Sequence, residues 1–225
     1  MNKATQADTK HIYVLLSRTH TTPARLIRLF TKEPYSHASI ALDLELVHLY
    51  SFARKHIHNP FDCGFIEEDI ESGIFGLDKN IYCSVYEIPV TEEQYQIIQD
   101  EINLFKKNKD IYQYNYTGLV GVMLGKNVTD GKHFFCSQFV SHIIYKSGIH
   151  LFSKSNGLIR PYDFHIRLKH QRIYKGRLAD YREYLRQSGR RVSAGLNNTE
   201  KIPQAMLKAA VRWNVILHSS GQQLL

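Results

Sequence analysis

Three cysteines, Cys63, Cys83 and Cys136, and twelve histidines are the side chains here that could carry covalent or proton-transfer chemistry near neutral pH. Cys136 stands out by position. It opens a stretch in which Phe139, Val140, Ile143 and Ile144 recur at helical spacing, and Gly148 supplies a stop. A thiol becomes a useful nucleophile when its anion is favoured, either by a helix N-terminus or by a neighbouring imidazole. The unpaired amides of a first helical turn also suit a developing oxyanion. His37 begins the apolar run SHASIALD, where a strand would fix its ring as a general base requires. His48 lies eleven residues further on, in LVHLYSF. If the two runs form a hairpin, His48 becomes a cross-strand neighbour of His37 and the candidate third member.

Those positions require particular elements. Residues 11–17, 36–43, 46–52 and 81–88 read as strands, with Asp43 to Glu45 a tight connection between the second and third. Thr22-Pro23 marks a helix start, with Leu26, Ile27, Leu29 and Phe30 on its apolar face. Residues 53–79 read as loop, because Asn59-Pro60, Gly64, Gly73 and Gly76 interrupt them. Thr91 and Gln94 have capping-box spacing ahead of Tyr95, Ile98, Ile102 and Phe105. Residues 111–125 suggest a short helix entering the core. Leu178–Leu185 and Ile202–Leu217 are amphipathic, with a linker at 189–198.

SHASIALD, then LVHLYSF, then FFCSQFV at a helix start resembles the permuted branch of the NlpC-type papain-like cysteine hydrolases. YiiX/YycO-like and lecithin retinol acyltransferase-like proteins belong to that branch. The order fits: His37 precedes Cys136 by 99 residues, whereas in ordinary papain-like enzymes the Cys helix comes first. The likeness covers about residues 11–165, including NPF at 59–61 and IRPYDF at 159–164. It implies an α+β, permuted papain-like fold, with an antiparallel β half-barrel packed on the helix that carries the Cys. It implies Cys136 as nucleophile, His37 as base and a third polar residue. His48 matches a His of the acyltransferase-like members, and other members use Glu or another polar residue there. Tyrosines upstream of the Cys help form the oxyanion hole in some relatives, which makes Tyr116 the candidate and Tyr114 its rival. The substrates implied are peptides or isopeptides, muropeptides and acyl lipids.

Composition sets the boundaries. The chain has 225 residues and is 43% hydrophobic, enough for a real core. The expected division is a catalytic domain over 1–170 and a basic, mainly helical extension over 171–225. There is no CxxC pair, and His56 and His58 have no Cys or acidic ligands at useful spacing, so neither metal nor other cofactor is expected. The polar N-terminus and short apolar runs point to a cytoplasmic protein. Of the net charge of +8, +7 falls between Arg160 and Arg191. Residues 160–217 are therefore the candidate contact for an anionic membrane surface, and a solvated face is the plainer reading of the same charge. Nucleic acid is disfavoured because no recognition motif is present. Besides the enzyme, two other classes follow: a basic membrane- or nucleic-acid-associating module, and a catalytically silent relative that keeps only the fold. Oligomeric state has no signature in the sequence.

Overall fold

A computed structural model of the chain describes residues 9–19, 33–56 and 59–190, all within one unit, Met1–Arg190. The helix expected after Thr22-Pro23 and the amphipathic Ile202–Leu217 lie outside the described residues. The architecture is mixed α+β: an eight-stranded, mostly antiparallel open sheet with helices packed on it.

The strands are β1 (Lys10–Ser17), β2 (His37–Ala41), β3 (Leu49–His56) and β4 (Asn59–Glu68). After a short helix α1 (Gly73–Leu77) comes β5 (Tyr82–Val90), then the long helix α2 (Glu92–Lys107). Two short strands, β6 (Gln113–Tyr114) and β7 (His133–Phe134), flank helix α3 (Tyr116–Met123). Helix α4 (Cys136–Lys146) follows, then α5 (Pro161–Arg167), β8 (Arg172–Arg177) and α6 (Tyr181–Gln187). The sheet order is β7-β6-β4-β3-β2-β1-β5-β8, and only β6 and β7 pair in parallel.

Strand alternation divides the core in two. Ile12, Val14 and Leu16 of β1 face one cluster with Ala38, Ile40, Phe52 and the apolar sides of α2 and α4. Tyr13 and Leu15 face the other, with Leu49, Phe75, Val85 and Tyr181. Phe52 and Phe105 share the hub of the first cluster, and Phe65, Phe105, Phe134 and Phe139 surround Phe52 at ring separations of 5.3–6.1 Å. Helix α2 begins as the sequence indicates: Thr91 Oγ1 accepts from Gln94 N at 3.1 Å, and Gln94 Oε1 accepts from Thr91 N at 3.0 Å.

Three expectations change. Residues 53–68 are not loop: β3 runs on to His56 and β4 pairs along it from Glu68 to Asn59. Gly64 does not break β4, because Lys55 lies across it and a Cβ there would meet Lys55 Cε at 2.7 Å. The boundary at 170 falls just before β8, which pairs with β5, while Tyr181 and Leu185 of α6 fill the second cluster. Part of the basic charge is satisfied within the chain: Arg160 pairs with Glu33, Arg177 with Asp180, Arg182 with Glu71, Arg186 with Glu183 and Arg190 with Glu87. No helix among the described residues is long and apolar enough to cross a membrane.

The aromatic hub gives a direct test. Phe52→Ala should lose about 3–5 kcal/mol of unfolding free energy. Phe61→Ala, at a residue 81% exposed on the neighbouring strand, should lose little. Urea denaturation of both variants measures the contrast, and equal losses would sink the assignment of Phe52 to the hub.

Candidate functional site

Cys136 is the first residue of α4 and is buried, 3% exposed. The N-cap residue, Phe135, has no side-chain acceptor and no side-chain cap bond is made. The first-turn amides therefore have neither an intrahelical acceptor nor a cap. Gln138 at the third helical position reaches back, its Oε1 accepting from Phe135 N at 3.3 Å. The same oxygen accepts from Asn115 Nδ2 at 3.2 Å, and Asn115 Oδ1 caps α3 by accepting from Gly118 N at 2.7 Å. A buried Asn–Gln pair thus ties the starts of α3 and α4 together. On the other flank, Ser137 Oγ donates to the Ile159 carbonyl at 2.7 Å.

His37 is the first residue of β2 and is 8% exposed. Its Nε2 lies 2.9 Å from Glu68 Oε1, and both side chains are at most 10% exposed. Ser39, two residues on and therefore on the same face of β2, has its Oγ 3.2 Å from the same nitrogen and also donates to Glu68 Oε2. The Cys136 thiol is the ring's other hydrogen-bond partner. Burial by itself would lower the His37 pKa. The Glu68 charge and the bonds with Cys136 and Glu68 outweigh it and push the value up, from 6.5 to about 10.

The structure brings Cys136 and His37 together and does not bring His48 to them. Ile40 pairs with Tyr50 and Ala41 with Leu49, so His48 sits opposite Leu42. That is five residues past His37, about 16 Å along a strand. The displacement comes from a connection longer than Asp43 to Glu45. The carboxylate of Asp43 accepts from Val47 N at 2.8 Å and from His48 N at 2.7 Å, closing a wider turn in which Leu46 has positive φ. His48 is exposed, and the position against His37 belongs to Glu68, which the sequence reading missed because β4 read as loop. The available signal was the spacing of Phe61, Cys63 and Phe65, which alternates as a strand does and ends on two acids.

The tyrosines also exchange places. Tyr116 is 40% exposed, donates to the Phe61 carbonyl at 2.7 Å and hydrogen-bonds Cys63. Tyr114 is the one on which the Cys136 charge acts: burial first, then the charges of Cys136 and Cys63, hold its phenol firmly protonated. Its pairing across β6–β7 with Phe134 fixes it two residues upstream of the thiol. Cys83 is fully buried in the second core cluster. No group of three His, Cys, Asp or Glu among the described residues could hold a metal.

The His37–Glu68 contact predicts a pH-dependent stability. A histidine whose pKa is raised on folding contributes stability that is complete below its ordinary 6.5 and is lost as pH rises towards about 10. Glu68→Gln should therefore cost about 3 kcal/mol at neutral pH, as expected when one partner of a buried pair is removed. The cost should shrink between pH 7 and 10. Urea denaturation at the two pH values reads it, and a cost that does not change with pH would count against a charged His37. His48→Ala should be near neutral throughout.

No protein-family model matches the chain, and it matches no curated protein and no solved structure.

Proposed function

We propose that the protein is a thiol-dependent hydrolase or acyl transferase of the permuted papain-like kind, acting on an amide, ester or thioester. The observation that carries this reading is the His37 ring held between the Cys136 thiol and the Glu68 carboxylate. A histidine needed only for packing has no use for both a buried acid and a thiol at the start of a helix as partners. The antiparallel sheet against α4, with the histidine strand ahead of the cysteine helix in the chain, supports the same assignment.

The chemistry follows from the positions. The Cys136 sulfur, paired with the protonated His37 ring, attacks the substrate carbonyl carbon. The carbonyl oxygen becomes an oxyanion beside the uncapped amides of α4 and the Tyr114 hydroxyl, both of which donate. Collapse breaks the bond to the leaving group, which takes the proton from His37, and leaves a thioester on Cys136. Water or a second acceptor, deprotonated by His37, releases the acyl group. Glu68 keeps the ring oriented and its charged form stable, and Ser39 fixes the carboxylate. Glu68 thus takes the role that the resemblance leaves to a third polar residue.

Alkylation of Cys136 by iodoacetamide, followed by peptide mapping at pH 7, tests the pair. His37→Ala should slow it about a hundredfold. With p-nitrophenyl acetate as a generic acyl donor, Tyr114→Phe should reduce acylation of Cys136 by about a hundredfold, and Tyr116→Phe should leave it nearly unchanged. A Cys136 that alkylates equally fast with and without His37 would falsify the reading. Equal effects of the two tyrosine changes would remove Tyr114 from it.

A further inference from the structure

Next to the Cys136 site is a cavity of about 550 Å³, within the size range of small-molecule sites. Tyr114 and Asn115 connect the two: both line the cavity, Tyr114 pairs with Phe134 two residues ahead of Cys136, and Asn115 donates to Gln138 in the first turn of the cysteine helix. The remaining wall is aromatic and cationic: Phe61, Tyr112 and Tyr116 with Lys55 and Lys109. We infer that this cavity takes the part of the substrate next to the scissile carbonyl, and that this part carries a carboxylate or phosphate beside an apolar group. The inference rests on Cys136 being the nucleophile.

Two features of the wall support an anion. Lys55 reaches it because Gly64, on the paired strand, has no side chain. The lysine stem lies where a Cβ would be, with Cε 2.7 Å and Nζ 3.2 Å from that position. The nearest carboxylate oxygen to Lys55, Asp62 Oδ1, is 3.9 Å away, and the other oxygen of that carboxylate is held by His56. Lys109 makes no ion pair among the described residues. Asp110 also lines the cavity, and His133 at its edge is held by Asp130, so the wall keeps a surplus of lysine charge. The apolar requirement comes from Phe61, which is 81% exposed although its carbonyl is fixed by the Tyr116 hydroxyl. A ring held in water at the mouth of a cavity gains when a ligand covers it. Cys63 also faces the cavity, but its thiol is engaged by Tyr116 and burial raises its pKa, so it is not a second nucleophile there.

Affinity alkylation reads this directly. Three probes of similar length are compared: N-iodoacetyl-β-alanine, O-phosphoryl-N-iodoacetyl-ethanolamine and the neutral N-propyl iodoacetamide. With each, the Cys136 sulfur, paired with the protonated His37 ring, forms a bond to the methylene carbon and iodide leaves. The expected result is a faster rate for at least one anionic probe than for the neutral one. The more reactive anion identifies the group recognised. In Lys55→Met/Lys109→Met that advantage should fall about fivefold, the weight of a partly exposed ion pair, while the neutral rate stays the same. Gly64→Ala, which displaces the Lys55 stem, should reproduce part of the fall. An anionic-to-neutral ratio that is one in the wild type, or that is the same in the double variant, overturns the inference. The neutral probe in His37→Ala tests the nucleophile separately: if that rate does not fall, the catalytic reading fails whatever the ratio does.

Discussion

A histidine and a glutamate are buried against each other at 2.9 Å, and much of the arrangement around them answers to that contact. Charges taken out of water are tolerated only when paired and hydrogen-bonded. Glu68 meets that condition with His37 on one oxygen and Ser39 on the other. His37 meets it with Glu68, Ser39 and the Cys136 thiol. The contact joins the first residue of β2 to the last of β4, two strands that are not neighbours in the sheet because β3 lies between them. A shift of either strand by one residue would turn the side chain to the opposite face and leave a buried charge without its partner.

The cysteine's side of the arrangement is held by neutral polar bonds. Asn115 caps α3 and donates to Gln138, and Gln138 accepts from Phe135 just ahead of the thiol. Gly118 is where it is because a Cβ there would meet Asn115 Nδ2 at 2.2 Å. The phenylalanine at the N-cap has a consequence for the chemistry. A serine or aspartate there would strengthen the helix and occupy the amides that an oxyanion needs. Under the proposed function, the helix start gives up a cap where its donors would meet the oxyanion.

Much of this could be read from the chain, and the failures share one cause. Cys136 at a helix start, His37 on a strand and the capping box of α2 each depend on local pattern, and each is found where the pattern puts it. Glu68 and Tyr114 depend on pairing between distant segments. Asn59-Pro60 and Gly64 make β4 look like loop and mask the alternation that leads to the acid at its end, although the glycine there serves Lys55 and not a turn. His48 is a partner for His37 only if Asp43 to Glu45 is a tight connection. The two bonds the Asp43 carboxylate accepts make a wider turn, and a side-chain interaction of that kind sets register without leaving a periodic trace. The basic segment is a similar case: Arg160, Arg182 and Arg190 find acids elsewhere in the fold, which the charge count cannot anticipate.

The central claim is that His37 carries its proton at physiological pH because Glu68 and Cys136 both favour the charged ring. Nitrogen-15 NMR of the imidazole side chains, recorded from pH 5 to pH 10 on wild type and Cys136→Ala, tests it most directly. The account predicts that both His37 ring nitrogens remain protonated at pH 8 in the wild type, with the titration displaced upwards towards about 10 and moved down when the thiol is removed. A ring that titrates near its ordinary 6.5, and does so whether or not the thiol is present, would contradict it.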